Sequence, residues 1–269
     1  MTNRGETLLL EIARCPNVAI CLGTDGSDHP CATIAQSQRT IGIVDQQVPE
    51  PWSGHLESAP ILFVSSNPSI RPDEDYPTPS WSDQEIADYF SNRYGGGRKQ
   101  WTREGKQSLL KDGSYAEKTS HFRAEVASRA GELLGRKARP GVDYVLTEVV
   151  HCKSKAETGV REARDECAAR YLRRVLECSA ARAIVVLGKH AAKAVRNQLE
   201  IPDGHTVYGP ITIAGSRRLF LFMPHPSAYG PRKFARHLSE EELGRTRQLL
   251  HSGYYEFEGT GSSESKDVV

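Results

Sequence analysis

Apolar runs that alternate with helical patterns are the feature that most limits how this chain can fold. Runs typical of buried strands, most of them followed by a turn or loop signal, lie at 59–69, 144–150 and 181–188 and in VYGPITIAG and RRLFLFMPH. Helical spacing of apolar residues marks the segments 121–136, 160–178, 189–199 and 238–252. This alternation predicts an α/β fold, a three-layer α/β/α sandwich with a mostly parallel central sheet.

The alternating pattern does not cover the whole chain. We expect residues 1–58 to form an irregular N-terminal leader that packs on the core, because only Thr7 to Ala13 has helical spacing before a stretch rich in Gly, Asp, Pro and Cys. Residues 59–252 form the main domain, and the low-complexity tail 253–269 is expected to be disordered. Within the domain, the Gly-, Lys- and Arg-rich segment 95–120 is predicted to be a mobile surface excursion.

Composition excludes several classes of protein. No apolar run reaches the length of a membrane span, and the first residues lack the pattern of a signal peptide. Six scattered cysteines do not suggest a disulfide framework, so we expect a cytoplasmic protein with reduced thiols. We also expect it to be a monomer. The net charge of +1 gives no argument for a nucleic-acid partner, and any DNA-binding surface must come from local clustering of basic residues.

Polar side chains follow three of the predicted strands. Asn67 follows the first strand, Glu148 and Cys152 lie at the end of the second, and His225 and Ser227 follow the last. Because parallel strands end at the same edge of a sheet, these groups are expected to meet there and could cleave a polar bond. Taken singly, each motif is also typical of an ordinary turn.

Together these motifs resemble the uracil-DNA glycosylase superfamily over residues 59–250. The resemblance is carried, in this order, by SSNPS (65–69), LTEVVHCKSK (146–155), ECAARYLRRVLE (166–177), AIVVLGKHAAKAV (183–195) and MPHPSAYGPRKF (223–234). It implies the same three-layer fold and a monofunctional DNA glycosylase, which flips a base out of DNA, hydrolyses its N-glycosidic bond and leaves an abasic site. No metal is needed for that reaction.

The resemblance also implies roles for individual residues. Asn67 would hold the attacking water through its amide oxygen, and His225 would donate a hydrogen bond to the pyrimidine O2 and stabilise the departing base anion. Base contacts are assigned to Ser66, Tyr76 and Glu148, with Tyr76 as the stacking aromatic because it lies closest to the Asn loop. DNA contacts are assigned to Ser227, Tyr229, Arg232, Lys233 and Arg236.

Glu148 departs from the family pattern, which has Asn between Thr and Val at this position. A carboxylate would repel uracil O4, whereas it could accept from the N4 amine of a cytosine-type base. We therefore predict a modified cytosine, such as hydroxymethyl- or glucosylated cytosine of phage DNA, and a role in phage defence. Two alternatives stay open: Glu148 pairs with a nearby Lys or Arg, and the protein is a uracil-DNA glycosylase of base excision repair.

The cysteines are a second departure. Cys152 and Cys167 match two of the four cluster ligands of the family's iron–sulfur branch, but the local Cys-x-x-Cys is missing from the N-terminal region. We therefore expect no cofactor and buried structural thiols, with a 4Fe–4S cluster as the alternative.

Two other functional classes compete with the glycosylase. A non-catalytic DNA-binding module would keep the fold, but it has no use for both Asn67 and His225. A thiol enzyme would use Cys152 with His151 or His190, although nothing in the sequence places either histidine beside the thiol.

Overall fold

A computed structural model describes residues 3–23 and 28–252. Within those residues, no helix is long and apolar enough to cross a membrane. The strands are β1 (Trp52–Ser53), β2 (Ile61–Ser65), β3 (Thr102–Arg103), β4 (Gln107–Ser108), β5 (Tyr144–Glu148), β6 (Ala183–Leu187), β7 (Val207–Ile213) and β8 (Ser216–Met223).

Six of these strands form the central sheet, in the order β1-β5-β2-β6-β8-β7. The inner strands β5, β2, β6 and β8 are parallel to one another, while β1 and β7 pair antiparallel at the two edges. Strands β2, β5 and β6 are buried along their whole length, as their continuous apolar sequences predict. The predicted mostly parallel sheet is confirmed.

Helices cover both faces of the sheet. They are α1 (Asn3–Ala13), α2 (Pro16–Leu22), α3 (Ala32–Thr40), α4 (Asp83–Ser91), α5 (His121–Leu134), α6 (Val160–Cys167), α7 (Arg173–Cys178), α8 (Gly188–Leu199) and α9 (Glu240–Ser252). A π-helical segment, Ala168–Leu172, joins α6 to α7 into one long helix. The start of α4 is fixed by a capping box between Ser82 and Glu85.

The sheet separates two apolar clusters, because alternate residues of each strand point to opposite faces. Leu62 and Val64 of β2 join the larger cluster, with α1, α3, α4 and α6 to α8. Ile61 and Phe63 join the smaller cluster, which α5 and α9 complete. The fold is therefore the predicted α/β/α sandwich.

The structure corrects two expectations about the outer segments. The leader is not irregular: it contains α1, α2 and α3, and Leu9, Ile12 and Ile34 in these helices are fully buried in the larger cluster. The segment 95–120 is not a loose excursion, because β3 pairs with β4 and Trp101 is buried against Trp81 and Tyr89. Aromatic packing holds this basic segment against the domain. The predicted disordered tail, 253–269, lies outside the described residues.

Candidate functional site

A cleft of about 1250 Å³ lies at the carboxyl ends of the parallel strands. Loops that follow β2, β5, β6 and β8 bring Asn67, Glu148, Gly188 and His225 to its wall. The loops after β2 and β5 are held together by backbone hydrogen bonds, from Val150 N–H to Ser66 O at 2.9 Å and from Ser154 N–H to Pro68 O at 3.2 Å. The structure thus brings together polar groups that the sequence placed at separate strand ends.

Asn67 lies half-buried on the loop after β2, with its amide group fixed in one orientation. Its Nδ2 donates to Pro68 O at 3.1 Å and to Ser154 Oγ at 3.0 Å. A carbonyl oxygen can only accept, so the nitrogen of the amide must face Pro68. Both amide hydrogens are then used, and Oδ1 is left as an acceptor at the cleft.

His225 is half-buried on the loop after β8, and its contacts select one neutral tautomer. The backbone N–H of Ser227 donates to Nδ1 at 3.2 Å, so Nδ1 carries no proton and Nε2 does. Burial lowers the pKa of His225, and nearby Arg129 lowers it further against the opposing charge of Glu157. The ring stacks on Phe122 with centroids 5.5 Å apart. A neutral imidazole with an N–H donor results.

Directly after β6, the position of His225 requires a glycine, Gly188. Gly188 has φ +84, and a Cβ atom built there would lie 3.1 Å from Cβ of His225. A larger residue would be strained by its backbone conformation and would press on the imidazole.

Glu148 is the last residue of β5 and is buried beneath the cleft. Burial raises the pKa of Glu148 well above its usual value, Glu50 adds to this effect, and Arg93 and Lys153 oppose it. Ser65 Oγ donates to Oε1 at 3.5 Å, while Oε2 accepts no hydrogen bond from the described residues. Among the described residues Glu148 forms no salt bridge with a Lys or Arg, which argues against the alternative that it is an ordinary ion-pair partner.

Beneath the cleft lies a group of paired charges that we call the buried ion network, consisting of Glu50, Glu74, Arg93 and Lys153. Arg93 donates to Glu50 Oε1 at 2.6 Å and to Glu74 Oε1 at 2.9 Å. Lys153 donates to Glu74 Oε2 at 3.1 Å. Burial raises the pKa of Glu74, but Lys153, Arg93 and Arg123 outweigh it and hold that pKa far below its usual value. The two carboxylates of the network therefore stay ionised.

Tyr76 is not in the cleft, which corrects its assignment as the stacking aromatic. It is 2% exposed, packs edge-on against Tyr89 and Phe90, and donates to Glu50 Oε2 at 3.2 Å. Nearness in sequence to the Asn loop was misleading, because the chain turns into the core before residue 76. Ser66, the other assigned base contact of that loop, does line the cleft, and its hydroxyl donates to Glu157 Oε1.

The loop assigned to DNA follows His225 along the edge of the cleft. Ser227 lines the cleft, Tyr229 is fully exposed, and Lys233 and Arg236 are exposed. Arg232 lies 3.5 Å from Glu125 Oε1 of α5. The carboxylate of Glu132 accepts from the backbone N–H groups of residues 234 and 235, at 3.0 and 2.9 Å, and so fixes the loop against α5. An aromatic ring and several cations are thereby held at one end of the cleft.

Four cysteines from distant parts of the chain meet at a second, smaller pocket. Its lining includes Cys15 before α2, Cys31 before α3, Cys152 after β5 and Cys167 at the end of α6. The cavity holds about 20 Å³, the size of one water molecule. Burial raises the pKa of Cys31 to about 12 and that of Cys152 well above its usual value. A thiol in this environment is a poor nucleophile, which argues against the thiol-enzyme alternative.

The donor set of this pocket is of the type that binds an iron–sulfur cluster, since four thiols are the usual ligands of a 4Fe–4S cluster. As the side chains are placed among the described residues, however, no group of three or more His, Cys, Asp or Glu is arranged to hold a metal ion. Cys15 and Cys31 are too far apart in the sequence to be recognised as a pair of ligands. The turn before α2 and the start of α3 bring their thiols together in the fold.

Sequence reasoning missed several residues that line the cleft, and three of them contact the Asn67 loop or His225. Phe122 starts α5 behind the N-cap Ser120, Ser154 holds the Asn67 amide, and Glu157 lies on the same loop as Ser154. Ser154 lies in LTEVVHCKSK but was assigned no role there, and Phe122 and Glu157 belong to no recognisable motif. Gly159, at the end of the loop that carries Ser154 and Glu157, was the one available signal, since a glycine before a helix marks a turn.

The comparisons with known proteins agree with this geometry. The family model described as the uracil DNA glycosylase superfamily matches residues 51–243. A comparison with curated proteins gives no match.

Proposed function

Since the chain belongs to the uracil-DNA glycosylase superfamily, we propose that it is a monofunctional DNA glycosylase acting as a monomer in the cytoplasm. It flips a pyrimidine nucleotide out of DNA, hydrolyses the N-glycosidic bond and leaves an abasic site. The observation that carries this proposal is the pair of fixed polar groups at the cleft, the acceptor Oδ1 of Asn67 and the donor Nε2–H of His225.

The two groups suit the two charges that develop when the bond breaks. The sugar becomes positive at C1′, and the departing pyrimidine becomes negative. Asn67 Oδ1 orients the attacking water, and His225 Nε2–H donates to the pyrimidine O2 and stabilises the anion. Because His225 is neutral, it donates a hydrogen bond without an initial positive charge at the cleft.

A monofunctional reaction is supported by the surroundings of the buried lysine. A bifunctional glycosylase uses an amine to attack the sugar. Lys153 lines the cleft, but its amine donates to Glu74 and lies 3.4 Å from the centre of the Tyr76 ring, so it is held in an ion pair. We expect the abasic strand to stay intact until alkali is added.

The DNA contacts of the proposal use the loop that follows His225. Ser227 and its neighbouring backbone N–H groups would bind a phosphate beside the flipped nucleotide. Tyr229 would enter the minor groove, while Arg232, Lys233 and Arg236 neutralise phosphates. The full exposure of Tyr229 supports this role, since a large aromatic ring in water has a cost that binding removes.

For the substrate base, we propose a modified cytosine read by Glu148. The raised pKa of Glu148 supports a neutral carboxyl, with Oε1 accepting from Ser65 and Oε2 carrying the proton. Such a group donates to the acceptor N3 of cytosine and accepts from its N4 amine. The size of the cleft leaves room for a substituent at C5, as in hydroxymethyl- or glucosylated cytosine of phage DNA. Excision of such bases would act as a phage defence.

Uracil is the second candidate, and the same neutral carboxyl favours it. With its carboxyl group rotated by half a turn, neutral Glu148 would donate to uracil O4 and accept from uracil N3–H. A uracil-excising enzyme would belong to base excision repair.

An abasic-site assay separates these candidates. Labelled oligonucleotides, single- and double-stranded, carry uracil, cytosine, hydroxymethylcytosine or glucosylated hydroxymethylcytosine and are treated with alkali after incubation, with Asn67→Ala as the control. Strand breaks at modified cytosine alone support the proposal, and breaks at uracil alone support repair. DNA binding without breaks at any base would identify a non-catalytic binding module.

We also propose that Cys15, Cys31, Cys152 and Cys167 hold a 4Fe–4S cluster. The donor set supports it, and so does the π-helical segment that begins directly after Cys167, because such segments often mark functional positions. The cavity of about 20 Å³ would have to enlarge to hold the cluster. When bound, the cluster would cross-link the N-terminal helices to the domain, and no step of base excision passes through it.

Anaerobic purification tests the cluster independently of any activity. We expect a brown protein with iron and sulfide bound, and loss of both in Cys31→Ser. Cys178→Ser is the matched control, because Cys178 is half-buried but lies outside the pocket. A colourless, iron-free protein would make the four cysteines structural thiols.

A further inference from the structure

Four carboxylates line the cleft, and they differ in their ability to accept a proton. Glu50 and Glu74 are held by the cations of the buried ion network. Burial raises the pKa of Glu148 well above its usual value, which favours the neutral form of this carboxyl. Glu157, in contrast, is 47% exposed, and its one ion-pair partner among the described residues is His190, at 4.0 Å. Glu157 is therefore the carboxylate that is accessible and not neutralised by a Lys or Arg.

The backbone presents Glu157 to the cleft at a conformational cost. Ala156 and Glu157 have φ of +51 and +57, in the left-handed region that residues other than glycine rarely adopt. On the far side of the loop, Gly159 packs closely against α3. A Cβ atom built at Gly159 would lie 2.5 Å from Ile34 N. Consecutive residues in this region persist where the surrounding structure holds them, and they cluster at functional sites.

The side chain of Glu157 is directed at the loop that carries Asn67. Its Oε1 accepts from the hydroxyl of Ser66, the residue before Asn67. Ser154, three residues earlier on the same loop, accepts from Nδ2 of Asn67. The negative charge of Glu157 also acts on His225, whose pKa it raises against burial. Glu157 thus lies beside both groups of the proposed site.

Hydrolysis needs a proton acceptor that neither Asn67 nor His225 supplies. An amide oxygen can orient water but is too weakly basic to take its proton, and His225 Nε2 already carries one. We propose that Glu157 is the general base of the reaction, an inference that rests on the proposed glycosylase function.

The proposed step is balanced in atoms and electrons. The C1′–N bond breaks and its electron pair leaves with the base. The water oxygen forms a bond to C1′, and one water proton passes to the carboxylate of Glu157. The base anion takes a proton from solvent, and Glu157 returns its proton to solvent after the abasic product leaves.

The test is single-turnover excision by Glu157→Gln. Gln keeps an oxygen that accepts from Ser66 but cannot take a proton. The probes are oligonucleotides carrying uracil or hydroxymethylcytosine, and we expect the rate to fall at least about 100-fold while DNA affinity, from fluorescence anisotropy, changes less than about threefold. With Glu157→Ala, added formate should restore part of the rate, because it supplies the missing base. Glu162→Gln, an exposed glutamate on α6, is the matched control and should keep the wild-type rate.

The outcomes distinguish this inference from the proposed function. Excision by wild-type protein, with an unchanged rate in Glu157→Gln, overturns the role of Glu157 alone. A lower rate that follows a loss of DNA affinity and is not restored by formate makes Glu157 a binding residue and also overturns the role. Absence of excision by the wild-type protein overturns both.

Discussion

The floor and the rim of the cleft use charged and polar side chains in different ways. The floor is the buried ion network, in which each carboxylate has at least one cation within 3.1 Å. The rim consists of Asn67, Glu157 and His225, which are half-buried or exposed and carry donors or acceptors with no partner on one side. A paired charge fixes shape, whereas an unpaired group can bind a substrate.

This difference indicates that one set of residues determines the stability of the fold and another set determines the chemistry. Breaking a buried pair leaves an uncompensated charge and should act on folding. Removing a rim group leaves the packing intact and should act on the rate. A variant of the buried ion network that changes only the rate, or a variant of a rim residue that changes only the stability, would contradict this comparison.

Arg93→Met should give the largest effect, on stability. The change leaves Glu50 and Glu74 buried without their shared cation, and we expect a loss of about 3–5 kcal/mol in the free energy of unfolding from urea titration. Lys99→Met is the control, since Lys99 pairs with Asp75 at 56% exposure, where a pair contributes about 1 kcal/mol or less. Equal losses in the two variants would show that the floor does not stabilise the fold through its charges.

His225→Ala should change the rate and leave the fold. Loss of one hydrogen bond to a developing anion lowers the rate about 10²- to 10³-fold, equivalent to about 2.7–4 kcal/mol. Single-turnover excision measures the rate, and thermal unfolding checks the fold. His55→Ala, an exposed histidine away from the cleft, should match wild type in both. A wild-type rate in His225→Ala would remove His225 from the chemistry.

His151 should make stability depend on pH. Burial lowers its pKa to about 4 against the acceptor Glu50 O, which lies 2.7 Å from Nδ1. Because the folded pKa lies below the unfolded one, the contribution is complete above about pH 6.5 and is lost as pH falls toward 4, by roughly 3 kcal/mol in all. Urea titrations at several pH values should show that His151→Gln loses less unfolding free energy at acid pH than the wild-type protein. An equal loss in both proteins would mean that other groups cause the pH dependence.

The sequence predicted the parts of the molecule that local patterns encode. Mainly apolar runs predicted β2, β5 and β6, because strands buried on both faces are rich in apolar residues. The rule that parallel strands end at one edge placed Asn67, Glu148 and His225 together.

Contacts between distant segments were beyond local patterns. Cys15 and Cys31 meet Cys152 only through the packing of the N-terminal helices, which no spacing in the sequence reveals. Tyr76 was misplaced because its distance from Asn67 along the chain gives no direction for the intervening loop. Glu157 was missed because its importance lies in a backbone conformation that its residue type does not favour.

The smallest effect should separate an aromatic residue that contacts the floor, Tyr76, from one that lines the cleft, Phe122. Tyr76→Phe removes a hydrogen bond to Glu50 at the floor and should cost about 1.5–3 kcal/mol of unfolding free energy without changing the rate. Phe122→Leu loses the stacking on His225 at the rim, worth about 0.5–1.5 kcal/mol, and should slow excision between about twofold and tenfold. The excision rate and the urea midpoint, measured on both variants, check the pair. A slower rate in Tyr76→Phe would mean that the floor reaches the substrate after all, and the separation of floor from rim would then fail at Glu50, the residue that Tyr76 contacts.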